Sequence, residues 1–503
     1  MRRYGVPADM IELATERRRA GDWRGACEAA NIAAEVDLAE VARSCGAAVA
    51  DQVADDLAHL VPDLLRWHLS GTAEPLHAAG AVTPLSLYPG GTALSVRGPA
   101  STDQPQRLWL RFGPVTADEA GRGLHLSRER WDDRHTTDLL PRCGGRIRLP
   151  FFTADGTPLP GGGAGAGVEE RTEQVVRLFK AGQIVEAWTV AGFTLDAPEH
   201  LLRHARPGLT MLAERARRLA AATGSDVVMA HLPSWSAILL DRLDDPHPRV
   251  RVVPTHNGPP PGVPVLPHAA HHWPAVLDQL RDGDYDPAQL HPLVGAALFP
   301  VRAAATMPAA VELPAPVRIR CGDDWHEVAV RDGALHTPHP PRELSRERAL
   351  TALAGRAPAG CAAAVQSWRT GVGLPTPLLQ LRAGVLRHVM HGESAAVEAL
   401  LDAGLDPHVV DTRGRTLPHL LPWLFPAAAR LRILDRLLAA GLDVNAPDRT
   451  RWTPLHYAVL RGGSTSLIRA LLAAGADPAP SGPPLLDLAA GHRRDQVARL
   501  LTG

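Results

Sequence analysis

Trp452–Val459 reads WTPLHYAV, and the apolar run after it closes at Ala470–Gly475 as ALLAAG. The same ending occurs twice upstream, as RLLAAG at Arg436–Gly441 and ALLDAG at Ala399–Gly404. The three closing glycines stand 37 and 34 residues apart. A degraded fourth copy, PLLDLAA, follows at Pro484–Ala490. A repeat of this length, apolar in every copy, describes small units that bury their faces only against one another.

The TPLH opening and the LLxxG endings resemble the ankyrin repeat. The resemblance covers residues 378–503, about three and a half units, and implies two antiparallel helices per unit followed by a hairpin-like loop. It implies structural roles for Gly404, Thr416, His419, Gly441, Thr453, Pro454, Leu455, His456 and Gly475. Thr and His would bond locally, and Pro454 would open a helix where a missing N–H is harmless. The glycines would end second helices in the left-handed conformation. Asn445 and Asp448 fit the family's connecting loop. Thr416-Leu417-Pro418-His419 exchanges Leu and Pro, and its unit is overlong at 422–428, which predicts a distorted first helix. The last copy carries Asp487 where His456 stands. Roughly three units are needed for stability, so the array is expected to lean on residues 340–377.

Ankyrin arrays usually bind other proteins through loop tips and the concave helix face. The tips here would present Arg413 and Arg415 (DTRGRT), then Arg449, Arg451 and Trp452 (DRTRWT). Arg and Trp are favoured at interface hot spots. Residues 382–503 hold 14 Arg and 11 acids, a mildly basic balance. Composition offers a blander source for those arginines, because Lys180 is the only lysine in the chain.

The whole chain, 503 residues with a formal net charge of −1, exceeds one ordinary core and offers no general attraction to nucleic acid or anionic membrane. Cys27, Cys45, Cys143, Cys321 and Cys361 are scattered and form no CxxC pair, which fits separate reduced thiols better than disulfides or a zinc site. With no signal-peptide core at the N-terminus and no long apolar run, a cytoplasmic location is expected. Gly, Ala, Pro and Arg usage, with GDWRGAC, DLLRWHL, LHPLVGAALFP and RCGDDWHEV, resembles large ankyrin-tailed proteins of high-GC bacteria.

The expected fold class is α+β multidomain: a helical N-terminal part, small β-rich middle segments and a C-terminal α-helical solenoid. Residues 1–70 read as a helical hairpin region. Residues 71–165 read as β-rich, ending in a Gly/Pro linker at 158–169. Residues 166–310 read as helical, with 244–267 an irregular proline-rich excursion. Residues 311–375 read as a small antiparallel meander plus a helix, and 376–503 as the repeats. Arg177–Ala191 echoes Glu16–Ala30, with Ala20, Gly21, Ala26 and Ala30 matching Ala181, Gly182, Ala187 and Ala191 without a gap. This is either an internal duplication of a hairpin or two hairpins that share an AG turn.

Other motifs lose to simpler explanations. His268, His271 and His272 (HAAHHW) lack an acid at matching spacing and are broken by proline, so no metal ligand is assigned. The would-be recognition helix in 37–57 carries Asp51, Asp55 and Asp56, which would repel a phosphate backbone. GGGAGAG at 161–167 lacks the Lys-Ser/Thr of a phosphate loop. No catalytic residue, cofactor or metal is therefore assigned. The function expected is a cytoplasmic adaptor for protein partners, non-catalytic, binding neither nucleic acid nor membrane. The alternative is an enzyme or effector whose active site lies in residues 71–340, with the array as targeting module.

Overall fold

The computed structural model describes the chain except for residues 1–5, 70–79, 81, 100–105, 116–124, 198, 204–207, 233–235, 255–259, 261, 267–274, 284–285, 303–315, 332–333, 356, 369–372, 375, 403–406, 461–463, 481, 492–494 and 503. His268, His271, His272 and Gly404 lie outside the described residues. The fold has two compact units, one holding Met10–Ala100 and Leu108–Pro308, the other Ala309–Gly503. Among the described residues, no helix is long and apolar enough to cross a membrane.

The first unit begins with helices α1 (Ala8–Arg19) and α2 (Trp23–Ala29), joined through Gly21 at φ +75°. Asp22 caps α2 by accepting the Gly25 N–H at 2.8 Å. Asn31, at φ +55°, then turns the chain into strand β1 (Ile32–Glu35). Helices α3 (Leu38–Cys45), α4 (Ala47–Ala58) and α5 (Pro62–Leu69) follow. The meander β2 (Val82–Tyr88), β3 (Thr92–Arg97) and β4 (Leu108–Pro114) is antiparallel, and β4 pairs in parallel with β1. The sheet order is β1-β4-β3-β2.

The chain then traces that path again. Helices α6 (Val168–Lys180) and α7 (Ile184–Val190) turn at Gly182, φ +78°, and Gly192, φ +95°, leads into β5 (Thr194–Asp196). Gly182 and Gly192 stand 161 residues after Gly21 and Asn31. Helix α8 (Leu212–Thr223) precedes three antiparallel strands, β6 (Val228–Leu232), β7 (Ser236–Asp241) and β8 (Arg249–Pro254). Strand β8 pairs in parallel with β5, and the order is β5-β8-β7-β6. Both halves therefore run helix, helix, strand, helical segment, three strands, with the same pairing.

Three sequence expectations are corrected. Residues 166–310 are not simply helical, since they carry a four-stranded sheet, and the proline-rich excursion contains β8. Every residue of β7 is buried, so the strand has no polar alternation to announce it. Strand β1 likewise interrupts the helical reading of 1–70.

The glycine run at 161–167 is also no free linker. Arg148 pairs with Glu173 and Glu170, each at 2.7 Å, and the Glu173 carboxylate accepts the Phe151 and Gly163 N–H groups at 2.7 and 2.6 Å. A Cβ at Gly162 (φ +78°) would collide with the Glu173 carboxylate, and one at Gly163 with the Arg148 guanidinium. The glycines let the backbone wrap a buried ion cluster.

Two large cores fill most of the unit, beside a small cluster of Met229, Ala237 and Leu239. Trp67, Trp131, Phe152 and Phe299 anchor the first, which helices α9 (Ala275–Arg281) and α10 (Pro292–Leu298) complete. Trp188 and Phe193 anchor the second, under the sheet β5–β8.

The second unit opens with an antiparallel meander, β9 (Val317–Cys321), β10 (Asp324–Arg331) and β11 (Ala334–His336). Helices α11 (Pro341–Leu353) and α12 (Gly360–Ser367) follow. Ile319, Val328, Leu335, Leu344, Trp368 and Leu378 share a core with Leu400, so the meander packs onto the first helix pair of the array. That pair is α13 (Thr376–His391) and α14 (Ser394–Asp402). The next first helix, α15, is only Leu417–Leu420, continued as a 3-10 turn to Trp423 where Pro422 stands. Its partner is α16 (Ala427–Ala439). Two further pairs are α17 (Pro454–Leu460) with α18 (Thr465–Ala473), and α19 (Leu485–Gly491) with α20 (Asp495–Leu501). Gly441 and Gly475, at φ +81° and +90°, follow the C-cap residues Ala440 and Ala474 of α16 and α18.

Candidate functional site at the loop tips

Two successive hairpin loops are built around an inward-facing aspartate. Asp411 accepts the N–H groups of Arg413 and Arg415 at 2.8 and 2.9 Å. Asp448 accepts those of Thr450 and Trp452 at 2.8 and 2.9 Å, and the Tyr457 hydroxyl at 2.8 Å. Burial pushes the Asp448 carboxyl up, but hydrogen bonds from Thr450, Trp452 and Tyr457 outweigh it and hold the group below the usual carboxylate range. Each loop thus turns its aspartate inward onto its own backbone.

The tips are also tied to each other. The Arg449 N–H donates to the Arg413 carbonyl at 2.9 Å, and a Cβ at Gly414 (φ +80°) would press on Arg449. At the position equivalent to Gly414, the second loop has Arg451, a non-glycine residue at φ +66°. The side chains of Arg413, Arg449 and Arg451 are exposed.

The other two tip residues expected from the sequence are placed differently. Arg415 is 2% exposed, paired to Asp411 at 2.6 Å with its guanidinium 4.5 Å from the Trp423 ring centroid. Its aliphatic and cationic parts both find partners inside, so it is removed from the tip surface. Trp452 is half-buried, stacked on His456 and edge-on to Tyr457.

Beneath the tips, two histidines link successive units. His419 Nδ1 accepts the Thr416 N–H at 3.1 Å, and its Nε2 donates to the Trp452 carbonyl at 3.0 Å. His456 repeats this with the Thr453 N–H at 3.0 Å and the Pro483 carbonyl at 3.1 Å. That geometry requires the neutral Nε2–H tautomer, and burial pushes both imidazoles below their ordinary pKa. Pro454 and Leu455 lie buried at the start of α17. Asn445 spans to the following loop, donating to the Gly475 carbonyl at 2.9 Å and accepting the Asp477 N–H at 2.8 Å.

Residues 425–472 match the family model for ankyrin repeats (many copies). The match begins before α16 and runs through most of α18, so it includes the second tip, Thr453 and His456. Comparison with curated proteins gives no match.

The first unit holds a different kind of site. A cavity of about 500 Å³ is lined by Glu129, Arg142, Arg146, Glu214, Arg215 and Arg218, among others. Arg142 is 6% exposed and pairs with Glu129 at 3.0 Å, while its Nη2 is buried without a hydrogen-bond partner among the described residues. Burial, reinforced by Arg130 and Arg215 against the pull of Glu129, pushes Arg142 down to about 9. Nothing in the sequence pattern marks this cavity, because its residues come from separate segments.

Sequence reasoning also missed a cluster in the second unit. Cys321 and Cys361, read there as isolated thiols, converge with His326 and His339, and the donor atoms of all four lie within 4.8 Å of one another.

Proposed function

We propose that this chain is a cytoplasmic adaptor whose residues 376–503 form an ankyrin solenoid that docks an acidic protein surface on the tips at Arg413, Arg449 and Arg451. Ankyrin repeats generally mediate protein interactions, and the matched segment includes one of the two tips. The observation that carries the reading is the pair of hydrogen-bonded tips, with arginines outward and Asp411 and Asp448 turned inward. Three guanidiniums on a preorganised backbone suit carboxylates, which arginine grips in two-pronged fashion.

The test is capture of partners from the native lysate with wild type, Arg413→Glu/Arg449→Glu and, as control, Arg469→Glu on α18. Proteins held by wild type and the control, lost from the double variant, and released by moderate salt support the reading. An unchanged set of captured proteins overturns it. Trp452→Ala is a poor probe, because its ring packs on His456 and Tyr457.

A second reading is favoured by the Arg142 cavity. Its buried, incompletely bonded guanidinium suits a small anion carrying a phosphate or carboxylate. Titration calorimetry with inorganic phosphate and simple dicarboxylates, on wild type and Arg215→Met, tests it. No heat from any of them removes this reading.

A further inference from the structure

We propose that Cys321, His326, His339 and Cys361 bind one zinc ion that fastens the β9–β10 hairpin to α12 at the head of the repeat array.

The ligand positions follow from the pleat of the hairpin. Cys321 pairs with Asp324 across the turn and His326 pairs with Ile319, so Cys321, Ile319, His326 and Val328 share one face. Ile319 and Val328 are buried in the core that contains Cys361. The opposite face carries Trp325, 58% exposed. Cys321 and His326 therefore extend the core face to its end, where α12 begins. His339 arrives from the segment between β11 and α11.

Gly360, at φ +53°, brings α12 close. A Cβ there would sit 2.7 Å from Cys321 Sγ. Glycine at this position lets Cys361 reach the thiol of Cys321, whose Sγ lies 3.5 Å from the Cys361 N–H nitrogen.

Three of the donor spacings come close to the edges of a tetrahedron around zinc. Bonds of about 2.3 Å to sulfur and about 2.0–2.1 Å to nitrogen give S···N edges of about 3.5 Å and an N···N edge of about 3.3 Å. The distances are 3.5 Å from Cys321 Sγ to His339 Nε2, 3.5 Å from Cys361 Sγ to His326 Nδ1, and 3.0 Å between the two imidazole nitrogens. Two thiols and two imidazoles form a set that zinc favours over magnesium or calcium.

The outer side of the cluster agrees. His339 Nδ1 lies 3.3 Å from the Glu343 carboxylate, on the first turn of α11. A carboxylate there selects the Nδ1–H tautomer and leaves the Nε2 lone pair facing the cluster, the arrangement common behind zinc-bound histidine. The second convergent group, His59 with Asp132 and Asp133, does not compete. Asp132 is already paired with Arg128 at 2.7 Å and Arg134 at 2.8 Å.

The test uses the full chain, produced with zinc in the medium and purified without chelator. Elemental analysis should find about one zinc per chain in wild type and at least tenfold less in Cys321→Ser/Cys361→Ser. Cobalt added to chelator-stripped wild type should give the intense visible bands of a tetrahedral site with thiolate ligands. Glu343→Gln, which leaves all four ligands in place, should still give that spectrum with zinc affinity about 10–100-fold weaker. Three results overturn the proposal: wild type with free thiols but no zinc and no cobalt spectrum, zinc retained in the double serine variant, or a disulfide joining Cys321 to Cys361.

Discussion

Arg451 holds a backbone conformation that costs an ordinary side chain about 1–2 kcal/mol, at a position where the preceding loop has Gly414. Arg451→Gly should therefore leave the array as stable as before, or raise it by up to about 1 kcal/mol. If Arg451 contacts the partner, the same variant weakens binding, which separates stability from recognition in one substitution. Thermal unfolding and partner affinity, measured together, check it. His419 and His456 make the stability of the array depend on pH near neutrality. Their folded pKa values lie below the ordinary 6.5, so the unfolded chain binds protons that the folded array refuses. Stability is full above that value and falls as the pH drops below about 6.5. Thermal midpoints at about pH 7.5 and about pH 5.5 should show the drop, and His456→Ala should shrink it while costing about 1–3 kcal/mol at neutral pH. The outward arginines of the tips were legible from DTRGRT and DRTRWT. The inward turn of Arg415 was not, because it depends on Trp423 and Tyr457, which other segments supply.

Among the elements, those with a local signature were readable. The β9–β10 hairpin announces itself by alternation around Gly322-Asp323, and the array by its closing glycines. The shortened α15 also follows from Pro422 and the overlong unit. Strands β6 and β7 had no such mark, since almost all their residues are buried and a continuous apolar run of that length reads equally as helix. Composition misled at 161–167, where glycines that look like a linker instead permit close approach to Arg148 and Glu173. The two readings predict opposite results. A linker would tolerate Gly162→Ala, whereas the packed segment should lose about 1–3 kcal/mol. Chemical denaturation of the first unit decides between them.

At the scale of the molecule, separate cores predict separate melting. Calorimetry of the full chain should show more than one transition, and only the one belonging to Ala309–Gly503 should shift with the histidine variants. A single transition that responds as a whole would contradict this. The Cys321–Cys361 convergence was illegible because it joins residues 40 apart through a hairpin face and a helix start. The likeness of the two hairpins was visible in ERRRAGDWRGACEAA and RLFKAGQIVEAWTVA, but the shared sheet order lies beyond any residue match. One consequence follows from the histidine that reaches across to the Trp452 carbonyl. It puts an acid-sensitive bond directly behind the exposed arginines of the second tip. Protonation that breaks this bond favours the unfolded chain, so whatever is held only by the folded tips is lost in acid to the extent that the array itself opens.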